Sequence, residues 1–591
     1  MTNEPLKVLC IHGVGHGDKD PQLVPTWTKA IEDGIHRWLP GQQVVCDFLF
    51  YDELFSDAKL DAATVAEAIA KLTLSGIVHG IGDWLGLSRD FGGMQDTLRW
   101  TAGMVAQWAD EEKLRAAARQ SVLDAIAKYD PRIVVAHSLG SLISYDALGR
   151  KANSAVMAGR DYITLGSQIG NPFVRDALGG RIMGLLQADQ WFHLYNSHDK
   201  AFAAQIKLKD PNFQQVSTDF DIDFLDHDAI QYLTHPNTLN TVWRKVAGPG
   251  VMSRALVQSA REVSVAVRTP RRRALLVGIN DYPNPANQLE GCVNDVFLMS
   301  SILQECGFEA EDIRVVLNDR ATASGILQRM QWLLDGAEDK QDRVFFYSGH
   351  GAQIPQYGEN GKVDHVDECL VPYDFDWSMA KAITDVQFHE LYSQLPYDTS
   401  FLAIFDCCHS GGMTRDGGPR VRGLAPPDDI RHRMLQWNVK EQMWEERKLE
   451  PDNPQVDSWK NKGAGSPAVD YAGQTGATRR LGRAMALRSL SNKEYDAMRK
   501  AFDHKGPYLP VLLEACQENQ LSYEYRDGAT SYGAFTYTVT QIFRTSCAGG
   551  KHMTWQQLLK GTQEKLARLK YNQTPVLVGP DKVIRKAIPW K

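Results

Sequence analysis

Two successive series of short apolar segments, interrupted by helical stretches, constrain the fold of this 591-residue chain more than any other feature. The first series runs from Lys7 to roughly Val246, and the second begins at Arg271. Alternation of this kind predicts parallel sheets covered by helices. A chain of this length is expected to divide, because a single hydrophobic core stops growing well before it. We therefore predict an α/β protein with two domains.

The composition of the connecting stretches predicts the domain boundaries. Residues 247–273 contain Gly-Pro-Gly and Thr-Pro-Arg-Arg-Arg, which suit an exposed connection between domains. We predict a first domain at 1–250, a linker at 251–270 and a second domain at 271–591. Residues 413–491 are rich in glycine, proline and mixed charge and interrupt the second series. Such a long irregular insert is usually functional or disordered.

Composition also limits the classes of function. The chain is 43% hydrophobic and 23% charged, as expected of a globular protein, and its net charge of -7 gives no basic surface for nucleic acid. The N-terminus does not have the pattern of a secretory signal, and no apolar run is long enough to span a membrane. The nine cysteines form no regular framework, which suits a reducing compartment. We expect a cytoplasmic protein with no transmembrane segment and no nucleic-acid partner.

Two strands of the second series lead into residues that suit thiol catalysis. The strand at 344–347 is followed by Ser-Gly-His350-Gly, and the strand at 401–405 is followed by Asp-Cys-Cys408-His. Carboxyl ends of parallel strands lie at one edge of a sheet, so the imidazole and a thiol are expected there together. The thiolate attacks, and the imidazole favours its ionisation and returns a proton to the leaving amine. Side chains alternate along a strand, so we predict Cys408 as the nucleophile and Cys407 as a packing residue on the opposite face.

Five sequence blocks between about Ala274 and Phe543 carry a specific resemblance. In chain order they are L-L-V-G-I-N-D-Y, G-C-V-N-D, Y-S-G-H-G, D-C-C-H-S-G, and A-C-Q-E-N-Q followed by Y-G-A-F-T-Y. Together they resemble the metacaspase and caspase family of cysteine peptidases. The resemblance implies a caspase-like α/β sandwich, with His350 as general acid/base and Cys408 as nucleophile. It also implies an oxyanion hole formed by the backbone N–H groups of Gly351 and Cys408.

The same resemblance implies an acidic specificity pocket formed by Asp295, Ser348 and Asp406. Paired carboxylates attract a basic side chain, and their geometry favours arginine. We therefore expect protein or peptide substrates that are cleaved after arginine or lysine. The alternative for both aspartates is a helix cap or a turn. Within the insert, Arg479 and Arg480 are the candidate self-cleavage site, and the alternative is a solvated loop.

The resemblance also raises the question of whether this chain binds calcium. Asp367 and Asp385 match two of the aspartates that hold calcium in many metacaspases, but Val386 and Arg415 stand where the others are expected. Calcium needs several oxygen ligands, so two missing carboxylates should weaken the site severely. Other nearby carboxylates could substitute, namely Asp364, Asp374, Asp376 and Asp416. We predict that no cofactor is required.

A serine between a strand and a helix is the main chemical signal of the first series. Ser138 follows the strand at 132–136 and precedes a helical stretch, as in a nucleophile elbow, with Ala136 in place of the usual first glycine. The loop after the first strand would supply an oxyanion-hole N–H at Val14, together with that of Leu139.

Two residues further along the chain complete this pattern. Asp199 follows a predicted strand and His227 comes later, in the order Ser, Asp, His that α/β-hydrolases use. His198 and Asp228 are the alternatives. The stretch from about Pro5 to Trp243 thus resembles an α/β-hydrolase of the lipase or esterase kind, which implies an ester or lipid ligand.

We therefore predict a cysteine endopeptidase of metacaspase type, fused to a domain that resembles a serine hydrolase. Two alternatives remain open at this point. In one, the esterase or lipase reaction is the output and the peptidase controls it by cleavage. In the other, the first domain is a non-catalytic sensor or scaffold, because fold alone does not guarantee activity.

Overall fold

The structure is a computed structural model that describes most of both predicted domains. The described residues are 4–13, 21–55, 103–105, 107–109, 111–199, 201, 203–221, 227–247, 270–357, 363–407, 435–438, 443–446, 490–517, 520–548 and 553–590. For some of these only the backbone is described, namely 355–357, 363–367, 386, 435–438, 443–446, 492 and 546–548.

The chain forms two compact units. The first consists of Met1–Arg268 and Leu487–Pro507, and the second of Thr269–Ala486 and Tyr508–Lys591. Each unit therefore contains two separate stretches of the chain.

A six-stranded parallel sheet forms the centre of the first unit, in the order β2-β1-β3-β4-β5-β6. The strands are β1 (Leu6–Ile11), β2 (Val44–Leu49), β3 (Ile133–His137), β4 (Asp161–Leu165), β5 (Gln190–Tyr195) and β6 (Phe213–Ser217). Helices in this part of the chain are α1 (Leu23–His36), α2 (Glu112–Tyr129), α3 (Leu139–Leu148), α4 (Pro172–Ala177), α5 (Ala229–Thr234) and α6 (Arg244–Val246). The predicted parallel sheet is thus confirmed.

Alternate residues of the central strands pack on opposite faces of this sheet. In β1, Leu9 and Ile11 belong to a hydrophobic core that includes residues of α2 and α3, whereas Val8 and Cys10 belong to a core that includes residues of α1. Because successive side chains of a strand point to opposite faces, both faces of the strand must be apolar. The residues of β1 from Val8 to Ile11 are accordingly all apolar.

The second unit begins with seven strands and three helices. The strands are β7 (Arg272–Gly278), β8 (Ile313–Leu317), β9 (Asp342–Ser348), β10 (Gly351–Tyr357), β11 (Val363–Leu370), β12 (Ile383–Thr384) and β13 (Ser400–Asp406). The helices are α7 (Cys292–Glu305), α8 (Ala323–Leu334) and α9 (Asp385–Tyr392). In the stretch predicted to be irregular, two short antiparallel strands are described, β14 (Leu435–Asn438) and β15 (Met443–Glu446).

The next helix, α10 (Asn492–Ala501), lies in the stretch that belongs to the first unit. Ser491 and Glu494 form a capping box at its start. Tyr495, Met498 and Phe502 recur at helical spacing, and all three are buried in the core that α2 and α3 line. The core of the first unit therefore includes residues that follow the insert in sequence.

The remaining elements complete the second unit. They are β16 (Val511–Glu514), β17 (Glu524–Asp527), β18 (Thr530–Gly533), α11 (Ala534–Ala548), α12 (Trp555–Arg568), β19 (Val576–Val578) and α13 (Asp581–Ile584). The main sheet has the order β19-β16-β13-β9-β7-β8, and all neighbours are parallel except β16 and β19. This confirms the predicted α/β architecture. Among the described helices, none combines the length and apolar character that a membrane span requires.

Candidate active sites

The carboxyl ends of β9 and β13 lie side by side in the second unit. The two strands pair in parallel, and Ser348 at the end of β9 is opposite Asp406 at the end of β13. His350 comes two residues after Ser348, and Cys407, which is buried, directly follows Asp406. The catalytic histidine predicted from the sequence is therefore at the edge of the sheet where β13 also ends.

Some of the predicted site residues lie outside the described part of the chain. These are Val14, Cys408, Arg479 and Arg480. In the sequence, Cys408 is the second residue after the end of β13. Its role as nucleophile stays a prediction. Gly351 is the first residue of β10, and Leu139 is the first residue of α3.

The His350 ring is held by a backbone carbonyl. His350 is 3% exposed, and its Nε2 lies 2.7 Å from the carbonyl oxygen of Asn287. A carbonyl oxygen only accepts hydrogen bonds, so Nε2 carries the proton in this contact and Nδ1 is the nitrogen able to take one. The sequence contained no signal for Asn287, because it acts through its backbone.

Asp295 is completely buried in the first turns of α7. Its Oδ2 accepts a hydrogen bond from Ser348 Oγ at 2.8 Å, and its Oδ1 accepts one from the Gly533 N–H at 2.8 Å. These donors belong to β9 and β18, not to its own helix. The structure therefore brings Asp295 and Ser348 together.

Asp406 is also completely buried and is held by neutral donors. Ser522 Oγ donates to its Oδ1 at 2.7 Å, while the Thr536 N–H and Oγ1 donate to its Oδ2 at 3.1 and 2.6 Å. Ser348 is its partner in the register of β9 and β13, and Ser348 also contacts Asp295. Ser348 thus binds one of the two carboxyl groups and is the strand neighbour of the residue that carries the other. Thr536 lies in the block Y-G-A-F-T-Y, but the sequence did not indicate that it or Ser522 binds Asp406.

The predicted calcium positions do not form a metal site in the described part of the chain. Asp385 is the first residue of α9, directly after its capping residue Thr384. Asp367 lies in β11, but its side chain and that of Val386 are outside the description, as is Arg415. Among the described residues, no three histidine, cysteine, aspartate or glutamate side chains are grouped so as to hold a metal ion.

Ser138 lies in the sharp turn between β3 and α3 of the first unit. Its backbone has φ 50° and ψ -128°, a conformation that is strained for a residue with a side chain. A Cβ added to Gly140 would lie 2.3 Å from the His12 carbonyl oxygen, so this turn requires glycine there. Ser138 is 1% exposed, and its Oγ lies 3.4 Å from Gln168 Nε2.

Asp199 and His227 lie together in the same unit. His227 Nδ1 is 2.7 Å from Asp199 Oδ2, and His227 Nε2 is buried without a hydrogen-bond partner among the described residues. Tyr232 Oη donates to the same Asp199 oxygen at 2.5 Å, and burial raises the pKa of this phenol well above its usual range. Of the alternatives, Asp228 caps α5 through the Ile230 N–H.

The pair lies close to the neighbours of Ser138. The His227 ring is 4.6 Å from the ring of His137, which immediately precedes Ser138. The Ser138 N–H donates to the carbonyl of Leu165, and a Cβ added to Gly166 would lie 2.9 Å from His227 Cε1. The strand ends thus bring serine, histidine and aspartate into one region, with His227 bound to Asp199 and the Ser138 hydroxyl in contact with Gln168.

Comparisons with known proteins concern the second half of the sequence above all. The family described as caspase domain matches residues 271–583. Metacaspase-9 of Arabidopsis thaliana is 29% identical over 322 residues, which are 53% of this chain and 94% of that protein. Metacaspase-1 of Schizosaccharomyces pombe is 29% identical over 316 residues, or 52% of this chain and 67% of that protein. A crystal structure of a Geobacter sulfurreducens protein matches 54% of this chain and 98% of its own, at 21% identity and a TM-score of 0.34. A similarity this distant does not inform the fold.

Proposed function

Because this chain belongs to the caspase-domain family, we propose that its second unit is a metacaspase-type cysteine endopeptidase that cleaves after arginine or lysine. Cys408 attacks the carbonyl carbon of the peptide bond. His350 accepts the thiol proton and returns it to the leaving amine. The similarity to two proteins named metacaspases supports the reaction class.

The buried carboxyl pair is the single observation that carries the preference for a basic residue. Ser348 donates to Asp295 and is opposite Asp406 in the sheet register. Two carboxylates favour a cation, and a planar guanidinium can donate to two oxygens at once. A substrate aspartate would face charges of its own sign, which is strongly unfavourable.

Fluorogenic peptides that differ only in the residue before the cut test this preference. We expect kcat/KM to be at least about 100-fold higher for arginine than for aspartate, since a difference of about 2.7 kcal/mol suffices. Asp406→Asn keeps the side-chain size but removes the charge, so it should reduce this ratio about 10-fold. Asp342→Asn alters a buried aspartate at the other end of β9 and is the matched control. A ratio that Asp406→Asn leaves unchanged would contradict the acidic pocket.

A second activity, ester hydrolysis by the first unit, is favoured by one specific observation. The contact between His227 and Asp199 at 2.7 Å leaves His227 Nε2 buried and available as a base, and Ser138 occupies a strained turn nearby. We propose Ser138 as the nucleophile, His227 as general base and Asp199 as the group that orients it. The sensor or scaffold role is the competing hypothesis.

A fluorophosphonate, which reacts with activated serines, distinguishes the two hypotheses without a known substrate. We expect mass spectrometry to locate the adduct at Ser138, and His227→Ala to slow its formation by about 100-fold or more, because general base catalysis is lost. Ser144→Ala, which changes a buried serine on α3 that pairs with Tyr162, should leave the rate unchanged. If Ser138 stays unmodified in a protein whose peptidase is active, the first unit is a sensor or scaffold.

A further inference from the structure

The peptide N–H of His350 is bound by a side chain and not by a neighbouring strand. β9 ends at Ser348 and β10 begins at Gly351, so the backbone leaves the main sheet at this point. Tyr282 Oη lies 2.9 Å from the His350 nitrogen and accepts its N–H. Buried backbone N–H groups need an acceptor. In a strand this acceptor is a carbonyl of the neighbouring strand, whereas at this turn it is the phenol oxygen of Tyr282.

The Tyr282 hydroxyl is used as donor and acceptor at once. It donates to the carbonyl oxygen of Val371 at 3.1 Å while it accepts from His350. Burial raises the pKa of Tyr282 above its usual range, so the phenol keeps its proton under assay conditions. Its ring centroid also lies 4.8 Å from that of the imidazole. One side chain therefore contacts both the backbone and the ring of His350.

The loop that carries Tyr282 also supplies the third constraint on the histidine. Asn287, in the same loop, is the residue whose carbonyl binds Nε2 of His350 at 2.7 Å. Asn280 closes this loop, since its Nδ2 donates to the Glu290 carbonyl at 3.1 Å and its Oδ1 accepts the Cys292 N–H at 2.8 Å. This braced loop therefore contacts the backbone of His350 through Tyr282 and its ring through both Tyr282 and Asn287.

We infer that Tyr282 is a positioning residue of the peptidase and holds the imidazole of His350 in its working orientation. This inference rests on the peptidase activity proposed above. A catalytic group displaced by about 1 Å can lower a rate by about 100-fold. Tyr282 supplies contacts to both the backbone and the ring of His350, and its hydroxyl can be removed without changing its ring.

Tyr282→Phe tests the inference, and Tyr508→Phe is its matched control. Tyr508 Oη also accepts a backbone N–H, from Phe401 at 3.0 Å, and donates to the carbonyl of Thr399, but it does so where β13 begins. We expect Tyr282→Phe to lower kcat for an arginyl peptide about 10-fold and to change KM by less than about two-fold, because the specificity pocket is unaltered. Both variants should lose similar amounts of Tm, while Tyr508→Phe should keep its kcat.

The alkylation rate of Cys408 by iodoacetamide, measured by mass spectrometry, gives a second readout that needs no peptide cleavage. It should fall several-fold in Tyr282→Phe alone, because a displaced imidazole favours the thiolate less. Unchanged kcat and alkylation in Tyr282→Phe, or equal losses in Tyr508→Phe, would overturn the inference. A wild-type protein that cleaves no peptide would refute the proposed function, and the alkylation rates would still decide the role of Tyr282.

Should Tyr282→Phe fail to fold, Asn280→Ala replaces it. Asn280 braces the loop that carries Tyr282, because its Nδ2 donates to the Glu290 carbonyl and its Oδ1 accepts the Cys292 N–H, so its loss displaces the phenol from His350. The same fall in kcat at constant KM is expected. A folded Asn280→Ala protein with wild-type kcat and alkylation rate would count against the inference.

Discussion

Replacement of His350 by alanine is expected to lower kcat/KM for an arginyl peptide by about 10³-fold or more, within the range known for general acid–base groups. The imidazole contacts the Asn287 carbonyl through Nε2 at 2.7 Å, and in the proposed mechanism its Nδ1 exchanges a proton with the thiol and the leaving amine. Without it, the thiol of Cys408 is less ionised and the amine leaves without a proton. Steady-state cleavage of a fluorogenic peptide measures the effect.

His389→Ala is the control for this experiment. His389 is a buried histidine of α9 in the same unit, and its ring contacts Tyr392. Any loss of activity that comes from general destabilisation should occur in both variants, and the melting temperatures of both should be compared. A His350→Ala protein that keeps more than about a tenth of the wild-type kcat/KM would exclude His350 as the acid/base group.

Replacement of Asp146 by alanine is expected to destabilise the first unit by about 3 kcal/mol, because it removes the buried carboxylate that two partly buried arginines share. Arg119 keeps its ion pair with Glu112 at 2.6 Å, so Arg150 is the more affected of the two. Asp146 is completely buried on α3, and its carboxylate binds Arg119 at 2.8 Å and Arg150 at 3.1 Å. Arg150 also donates to the sulfur of Met498 at 3.1 Å, and its guanidinium lies 5.7 Å from the centre of the Phe502 ring. The loss should therefore also loosen α10.

Hydrogen exchange followed by mass spectrometry measures this effect in each unit separately. Amides of α3 and α10 should exchange much faster in Asp146→Ala, while those of β9 and β13 serve as the internal reference. Asp503→Asn, which removes the charge of an exposed ion pair with Lys151 at 2.7 Å and keeps a residue type that tolerates the φ of 58° at this position, is the matched control and should cost less than about 1 kcal/mol. Equal exchange of α10 in Asp146→Ala and in the wild-type protein would show that the buried ion pairs do not hold this helix.

The sequence alone determined the features that depend on local patterns. The alternation of strands and helices predicted a parallel sheet in each half, because burial of both faces requires continuous apolar strands. Small and polar residues directly after such strands located His350, Asp406 and Ser138, since parallel strands end at a common edge. The order of residues along the chain also proposed Asp199 and His227, with His198 and Asp228 as alternatives, and the structure brings Asp199 and His227 to 2.7 Å.

The tertiary structure decided what depends on contacts between distant parts of the chain. Residues 487–507 belong to the first unit although they follow the insert, and their amphipathic pattern does not say which core they enter. The carbonyl of Asn287 leaves no trace in the side-chain pattern, because every residue has one. Tyr282 lies in the block L-L-V-G-I-N-D-Y, but neither its contact with His350 nor the ion pairs of Asp146 can be read from the sequence. Local periodicity thus determined the sheets and the chemistry at their edges, whereas three-dimensional packing decided which groups hold that chemistry in place.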